Sequence, residues 1–139
     1  MILTLVVGTL LLAESKVEIS KAPLPVQKTV AEQTKAATFV GLTKEKEAGK
    51  TVYELETKLN GLTRDLMIAS DGSILLIEEE IKLFDAPAPV QAAVQKQAGK
   101  LIKFESLTEG TKVTYEAEIE NVKKKRAEFK FSADGSVIK

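Results

Sequence analysis

The chain has 139 residues, 20 Lys plus Arg against 20 Asp plus Glu, and neither Cys nor His. That length holds one ordinary domain with a real hydrophobic core, and the absence of net charge leaves no global field to draw nucleic acid or an anionic membrane. Without Cys and His there are no disulfides, no thiol chemistry, none of the usual zinc or iron ligands and no triad built on a His base.

Residues 1–12 are almost wholly apolar, yet too few to span a bilayer as a helix, which needs about 20 residues. They read as the hydrophobic part of a secretory signal. Ala13 and Ser15 are the small residues that a signal peptidase reads, so 1–15 is assigned as signal and Lys16 as the mature start, with no stable membrane anchor left. The basic segment that usually precedes such a run is absent, and a buried first strand is the alternative.

Residues 16–22 form a polar lead, either a short edge strand or a disordered arm. Pro23 and Pro25 then open a helix expected over 25–35, with Val26, Val30 and Ala36 or Ala37 on a narrow apolar stripe. Strand-like runs follow at 38–45, 51–59, 62–70 and 74–81, separated by Lys46-Glu47-Ala48-Gly49, Asn60-Gly61 and Asp71-Gly72. Alternation puts Tyr53, Leu55, Leu59, Leu66 and Ile68 inward, and Val52, Glu54, Glu56, Asp65 and Met67 outward.

Leu83, Phe84 and Asp85 lead into the rest of the chain without a flexible tether. A second helix is expected over 89–98 on Val90, Val94 and Ala98. In 112–121 the odd positions Val113, Tyr115, Ala117 and Ile119 are apolar and Thr114, Glu116, Glu118 and Glu120 are polar; in 124–132 Ala127, Phe129 and Phe131 alternate with Lys124, Arg126, Glu128 and Lys130. Such strands have one dry and one wet face, and Glu beside Lys or Arg on a hairpin neighbour permits cross-strand ion pairs. A last strand at Val137-Ile138-Lys139 is short.

The same text is written twice. Ala22-Pro23-Leu24-Pro25-Val26-Gln27 returns as Ala86-Pro87-Ala88-Pro89-Val90-Gln91, Tyr53-Glu54 and Glu56 as Tyr115-Glu116 and Glu118, and Asp71-Gly72-Ser73 as Asp134-Gly135-Ser136. The expected fold is therefore α+β: two tandem helix-plus-antiparallel-meander units, 16–85 and 86–139, forming one curved sheet with both helices on one face.

No catalytic constellation stands out. Glu78-Glu79-Glu80 suggests half of a hard-cation site, but alternation sends Glu79 to the opposite face from its neighbours. The two Asp-Gly-Ser triplets lack the further ligands of a calcium loop and read as hairpin turns. Lys123-Lys124-Lys125-Arg126, without interleaved aromatics, reads as one side of a charged sheet face rather than a phosphate site. Tyr53 and Tyr115 read as core residues. The carboxylates of Glu54 and Glu56, like those of Glu116 and Glu118, lie about 7 Å apart from the strand rise alone, a spacing any wet sheet face produces.

The duplicated run from Pro23 to Gln27 and Pro87 to Gln91, through Gln33 or Gln97, Tyr53 to Glu56 or Tyr115 to Glu118, and the Asp-Gly-Ser turns resembles the bacterial PepSY-like family. That family is described as similar in fold to the beta-lactamase-inhibitor protein. The resemblance covers about residues 22–139. It implies an exported protein, periplasmic or secreted, of a family associated with restraint of envelope peptidases; inhibitors with this fold grip an enzyme through the open concave face.

The resulting expectation is a monomeric, non-enzymatic binding module without cofactor or metal. Its partner is another protein, a peptidase or other hydrolase, and it does not bind nucleic acid. The candidate protein-binding residues are Glu54, Glu56, Met67, Glu116, Glu118, Arg126 and Lys130, chosen because alternation turns them outward. The alternatives are a small-ligand or metal-ion carrier of the envelope, with Tyr53 and Tyr115 lining a cleft, and a structural envelope protein.

Overall fold

The computed structural model describes residues 15–139; all of the assigned signal except Ser15 lies outside the described residues. Strands β1 (Ser15–Lys16), β2 (Thr38–Glu47), β3 (Lys50–Leu59), β4 (Leu62–Ala69), β5 (Ile74–Glu80), β6 (Lys100–Glu109), β7 (Lys112–Glu120), β8 (Arg126–Ser132) and β9 (Val137–Ile138) accompany helices α1 (Leu24–Gln33) and α2 (Ala88–Gln95). Within each unit the strands pair antiparallel with their neighbours in chain order, β1 to β4 in the first and β6 to β9 in the second. This is the α+β class expected from the sequence. The described chain forms two compact units, 15–77 and 78–139.

In the first unit, Pro23 precedes α1 and Pro25 stands in its first turn, where a missing N–H costs nothing. Val26 and Val30, one turn apart, bury against Leu42, Tyr53, Leu55, Leu66 and Ile68. The helix ends at Gln33 rather than at residue 35, because Thr34 leaves helical geometry and its hydroxyl donates to the Val30 carbonyl at 2.8 Å. Ala37 is buried beyond the helix end, while Ala36 is exposed. The polar lead supplies an edge strand, with Ser15 opposite Lys44 and Lys16 opposite Thr43.

Strand β2 runs two residues past its expected end, pairing Lys46 with Thr51 and Glu47 with Lys50, so that only Ala48-Gly49 remains as the turn. The Asn60-Gly61 turn is as expected: φ values of 53° and 81° suit the right-handed twist of the strands it joins. Thr57, a polar residue on the inward face, is buried and donates its hydroxyl to the Arg64 carbonyl at 2.5 Å. At the β4–β5 turn, Asp71 Oδ1 accepts the Ser73 backbone N–H at 2.9 Å and its hydroxyl at 2.6 Å.

In the second unit, Val90 and Val94 of α2 pack on Phe104, Ala117, Ile119 and Phe131. The helix stops at Gln95, so Ala98, expected on its buried stripe, lies outside the helix and is exposed. Strand β8 starts at Arg126, not at residue 124: Lys123 and Lys124 belong to a turn closed by the Asn121 N–H on the Lys125 carbonyl at 2.9 Å.

Matching contacts recur in the two units. Gln27 Nε2 donates to the Ala22 carbonyl at 2.8 Å and Gln91 Nε2 to the Ala86 carbonyl at 2.7 Å. Each anchors the chain that enters a helix to the second turn of that helix. Both β2 and β6 shift register by a bulge, between Phe39 and Gly41 and between Leu101 and Lys103. Among the described residues no helix is long and apolar enough to cross a membrane.

Candidate interaction face

In each unit the helix covers one face of its own strands, and the alternate residues occupy the opposite face. Residues directly opposite in an antiparallel pair share a face, so register shows what surrounds each candidate. Glu54 stands between Thr43 of β2 and Met67 of β4, and Glu56 stands opposite Asp65. Glu116 stands between Glu105 of β6 and Lys130 of β8, and Glu118 between Lys103 and Glu128. Register thus joins Glu54, Glu56 and Met67 in one unit and Glu116, Glu118, Arg126 and Lys130 in the other.

This face is less wet than alternation implies. Glu54, Glu56, Met67, Glu116, Glu118 and Lys130 are all half-buried, and of the seven candidates only Arg126 is exposed. Val52, expected outward and solvated, is 4% exposed, and Leu107 and Thr114 are 5% exposed. Val52 sits on a central strand between Glu45 and Ala69, Thr114 between Leu107 and Ser132. Cross-strand neighbours on both sides take water away from a central position even where no helix covers it. Among the described residues, Thr43 Oγ1, on this face opposite Glu54, is a buried hydroxyl oxygen without a hydrogen-bond partner.

Burial pushes the Glu54 carboxyl up to about 8, helped by its hydrogen bond with Glu45 and by the charges of Glu45, Asp65 and Glu56. Burial likewise raises Glu116 to about 7; Glu128 and Glu78 add to the rise and Lys130 opposes it. The second unit has cations on this face and the ion pairs the alternation permits. Arg126 Nη1 lies 3.0 Å from Glu118 Oε1, Arg126 Nε 3.3 Å from Glu120 Oε2, and Lys130 Nζ 3.9 Å from Glu116 Oε1. Lys103 also pairs with Glu105.

The sequence reading missed Glu45, Asp65, Glu105 and Glu128 as neighbours of the candidates. The signal was present in the turns. A two-residue Asn60-Gly61 connection sets Leu59 opposite Leu62, and counting back from there puts Asp65 opposite Glu56. Tyr53 and Tyr115 belong to the cores beneath the helices, where Tyr115 stacks on Phe104 with centroids 6.0 Å apart. Among the described residues no cluster of three or more Asp or Glu is arranged to hold a metal ion.

No protein-family model matches the chain, and no curated protein matches its sequence. Solved structures do match. A BLIP-like protein from Bacteroides fragilis superposes with a TM-score of 0.65 at 14% identity, over 85% of this chain and 84% of that one. The fold is similar to that of a BLIP-like protein. A DUF2874 family protein from Bacteroides uniformis also superposes on this chain, with a TM-score of 0.70 at 14% identity over 85% and 87% of the two chains. So does a protein from Bacteroides eggerthii provisionally named as periplasmic, with a TM-score of 0.71 at 15% identity over 85% and 86%.

Proposed function

We propose that this chain is an exported, non-enzymatic binding module that inhibits or modulates an envelope peptidase or other hydrolase through the sheet face its helices leave uncovered. One observation carries the reading. Carboxylates stand directly across from one another on that face: Glu56 opposite Asp65, Glu105 opposite Glu116, and Glu118 opposite Glu128. Like charges opposed across strands are destabilising, and departures from local consistency gather at functional sites. In the second unit Lys103, Arg126 and Lys130 offset part of this charge through their pairs with Glu105, Glu118 and Glu116, and a partner bringing further cations to the face relieves what remains.

The module is monomeric, periplasmic or secreted, released by cleavage after Ser15, and PepSY-like, with 16–85 and 86–139 as tandem copies of one unit. The recurring glutamine contacts, bulges and turns support the duplication. The name of the B. eggerthii protein supports export, and that of the B. fragilis protein supports a role in inhibition.

The test is a cross-linked pull-down from the envelope fraction with the parent protein beside a variant carrying Lys at 54, 56, 116 and 118, followed by activity assays on the captured hydrolase. The parent is expected to capture and slow the enzyme, and the variant, shown by circular dichroism to be folded, to do neither. Equal capture and inhibition by both proteins removes this face from the mechanism.

A further inference from the structure

The basic run Lys123-Lys124-Lys125 lies on no sheet face; it forms the tip of the β7–β8 hairpin. Where the β3–β4 hairpin turns on Asn60-Gly61, this one turns on three residues, Val122, Lys123 and Lys124, with Lys124 left-handed at φ 62°. The tip is braced from within. Asn121 Oδ1 accepts the backbone N–H of Lys123 at 2.9 Å and of Lys125 at 3.1 Å, and the Asn121 carbonyl accepts that of Lys124 at 3.0 Å.

The brace displays an unusual combination. Val122 is 97% exposed, far more than any other large apolar residue of the described chain. Four cations follow it at once. Arg126 is held by Glu118 and Glu120, and Lys124 Nζ reaches Glu120 Oε1 at 3.6 Å. Among the described residues, Lys123 and Lys125 make no ion pair with an acidic side chain.

We propose that this hairpin tip docks reversibly on an anionic lipid bilayer, with Val122 at headgroup depth and Lys123, Lys124 and Lys125 among the lipid phosphates. The residue types favour a lipid surface over an acidic protein cleft. Lysine ammoniums are hydrated point charges on flexible stems and suit a diffuse negative surface, whereas a defined carboxylate is matched by the arginine fork, and here the arginine is already occupied. A convex tip with one small aliphatic side chain also lacks the aromatic anchors of a protein hot spot. The docking is independent of the inhibitor reading and goes beyond it.

The test is co-sedimentation of the full chain with phosphatidylcholine vesicles and with vesicles containing equal phosphatidylglycerol. The neutral vesicles report any contribution from the apolar residues 1–12. The parent is expected to prefer the anionic vesicles and to leave them at about 0.5 M salt, where screening is short-ranged. Each juxtamembrane cation contributes about fivefold in partitioning, so Lys123→Gln with Lys125→Gln lowers anionic binding about 25-fold. Val122→Ser lowers it about threefold by removing the apolar contact. These exposed substitutions leave the unfolding midpoint in place. Equal binding to the two vesicle types, or unchanged binding of the double variant, overturns the proposal. So does displacement by soluble polyglutamate at equal charge concentration, which reassigns the tip to acidic proteins.

Discussion

The carbonyl oxygen of Pro25 lies 2.7 Å from the point that a Cβ on Gly72 would occupy. The first turn of α1 therefore rests directly on the β4–β5 turn, and Thr29 secures it with a hydrogen bond from its hydroxyl to the Gly72 carbonyl at 2.6 Å. Pro89 and Gly135 repeat the contact in the second unit, at 2.5 Å. Glycine at these turns is what lets each helix sit down on its sheet.

Gly72→Ala and Gly135→Ala are each expected to destabilise the chain by about 2 kcal/mol or more. Each adds a backbone clash to the cost of a side chain at positive φ, 89° and 88° in the two turns. Urea unfolding of the single variants checks this. A change below about 0.5 kcal/mol contradicts the close approach.

Gln27→Ala and Gln91→Ala are each expected to cost about 1 kcal/mol, the usual net value of one hydrogen bond to a partly buried carbonyl. Thermal unfolding measures the loss. Leu at the same positions is expected to recover none of it, since the carbonyls of Ala22 and Ala86 stay unmatched.

Truncating the most enclosed aromatic, Phe131→Ala, removes a side chain with 0% exposure from the core beneath α2. The expected loss is about 3–5 kcal/mol from burial and cavity together. Ala127→Ser, exposed on the same strand, is expected to change stability by less than about 0.5 kcal/mol. Denaturant midpoints of the pair give the contrast.

Stability is expected to fall as the pH rises from mildly acidic to alkaline. Glu54 binds its proton more tightly folded than unfolded, with a folded value of about 8 against an ordinary 4.5, so the unfolded state carries fewer protons across that window and gains relative to the folded one as pH climbs. Glu116, at about 7, adds to the slope. Glu54→Gln is expected to flatten the profile between pH 5 and 8. The acid limb has the opposite sign. Hydrogen bonds from Ser132 and Ser136 hold the Asp134 carboxylate at about 2, so the stability it contributes above the ordinary 3.8 is lost as the pH falls through 2. Melting temperatures from pH 2 to 9 test both limbs. A profile that rises from pH 5 to 8 contradicts the crowding of carboxylates around Glu54.

What the sequence determined by itself is local chemistry. Pro25 and Pro89 mark helix starts because their rings suit a first turn. Asn60-Gly61 marks a hairpin because both residues accept positive φ. Alternation in β3 and β7 separates Tyr53, Leu55, Ala117 and Ile119 from the glutamates because strand side chains alternate whatever lies around them. The helix ends and the basic turn were harder to read. Thr34 ends α1 by bonding back to Val30, and Lys124 adopts a left-handed conformation that nothing in its residue type announces. Tertiary structure alone decided the state of the uncovered face. Glu54 reads as an ordinary solvated acid until register brings Glu45, Asp65 and a half-buried Met67 around it, and Val52 reads as solvated until strands flank it on both sides. Burial and the proximity of like charges depend on pairing between distant segments, and no local pattern encodes them.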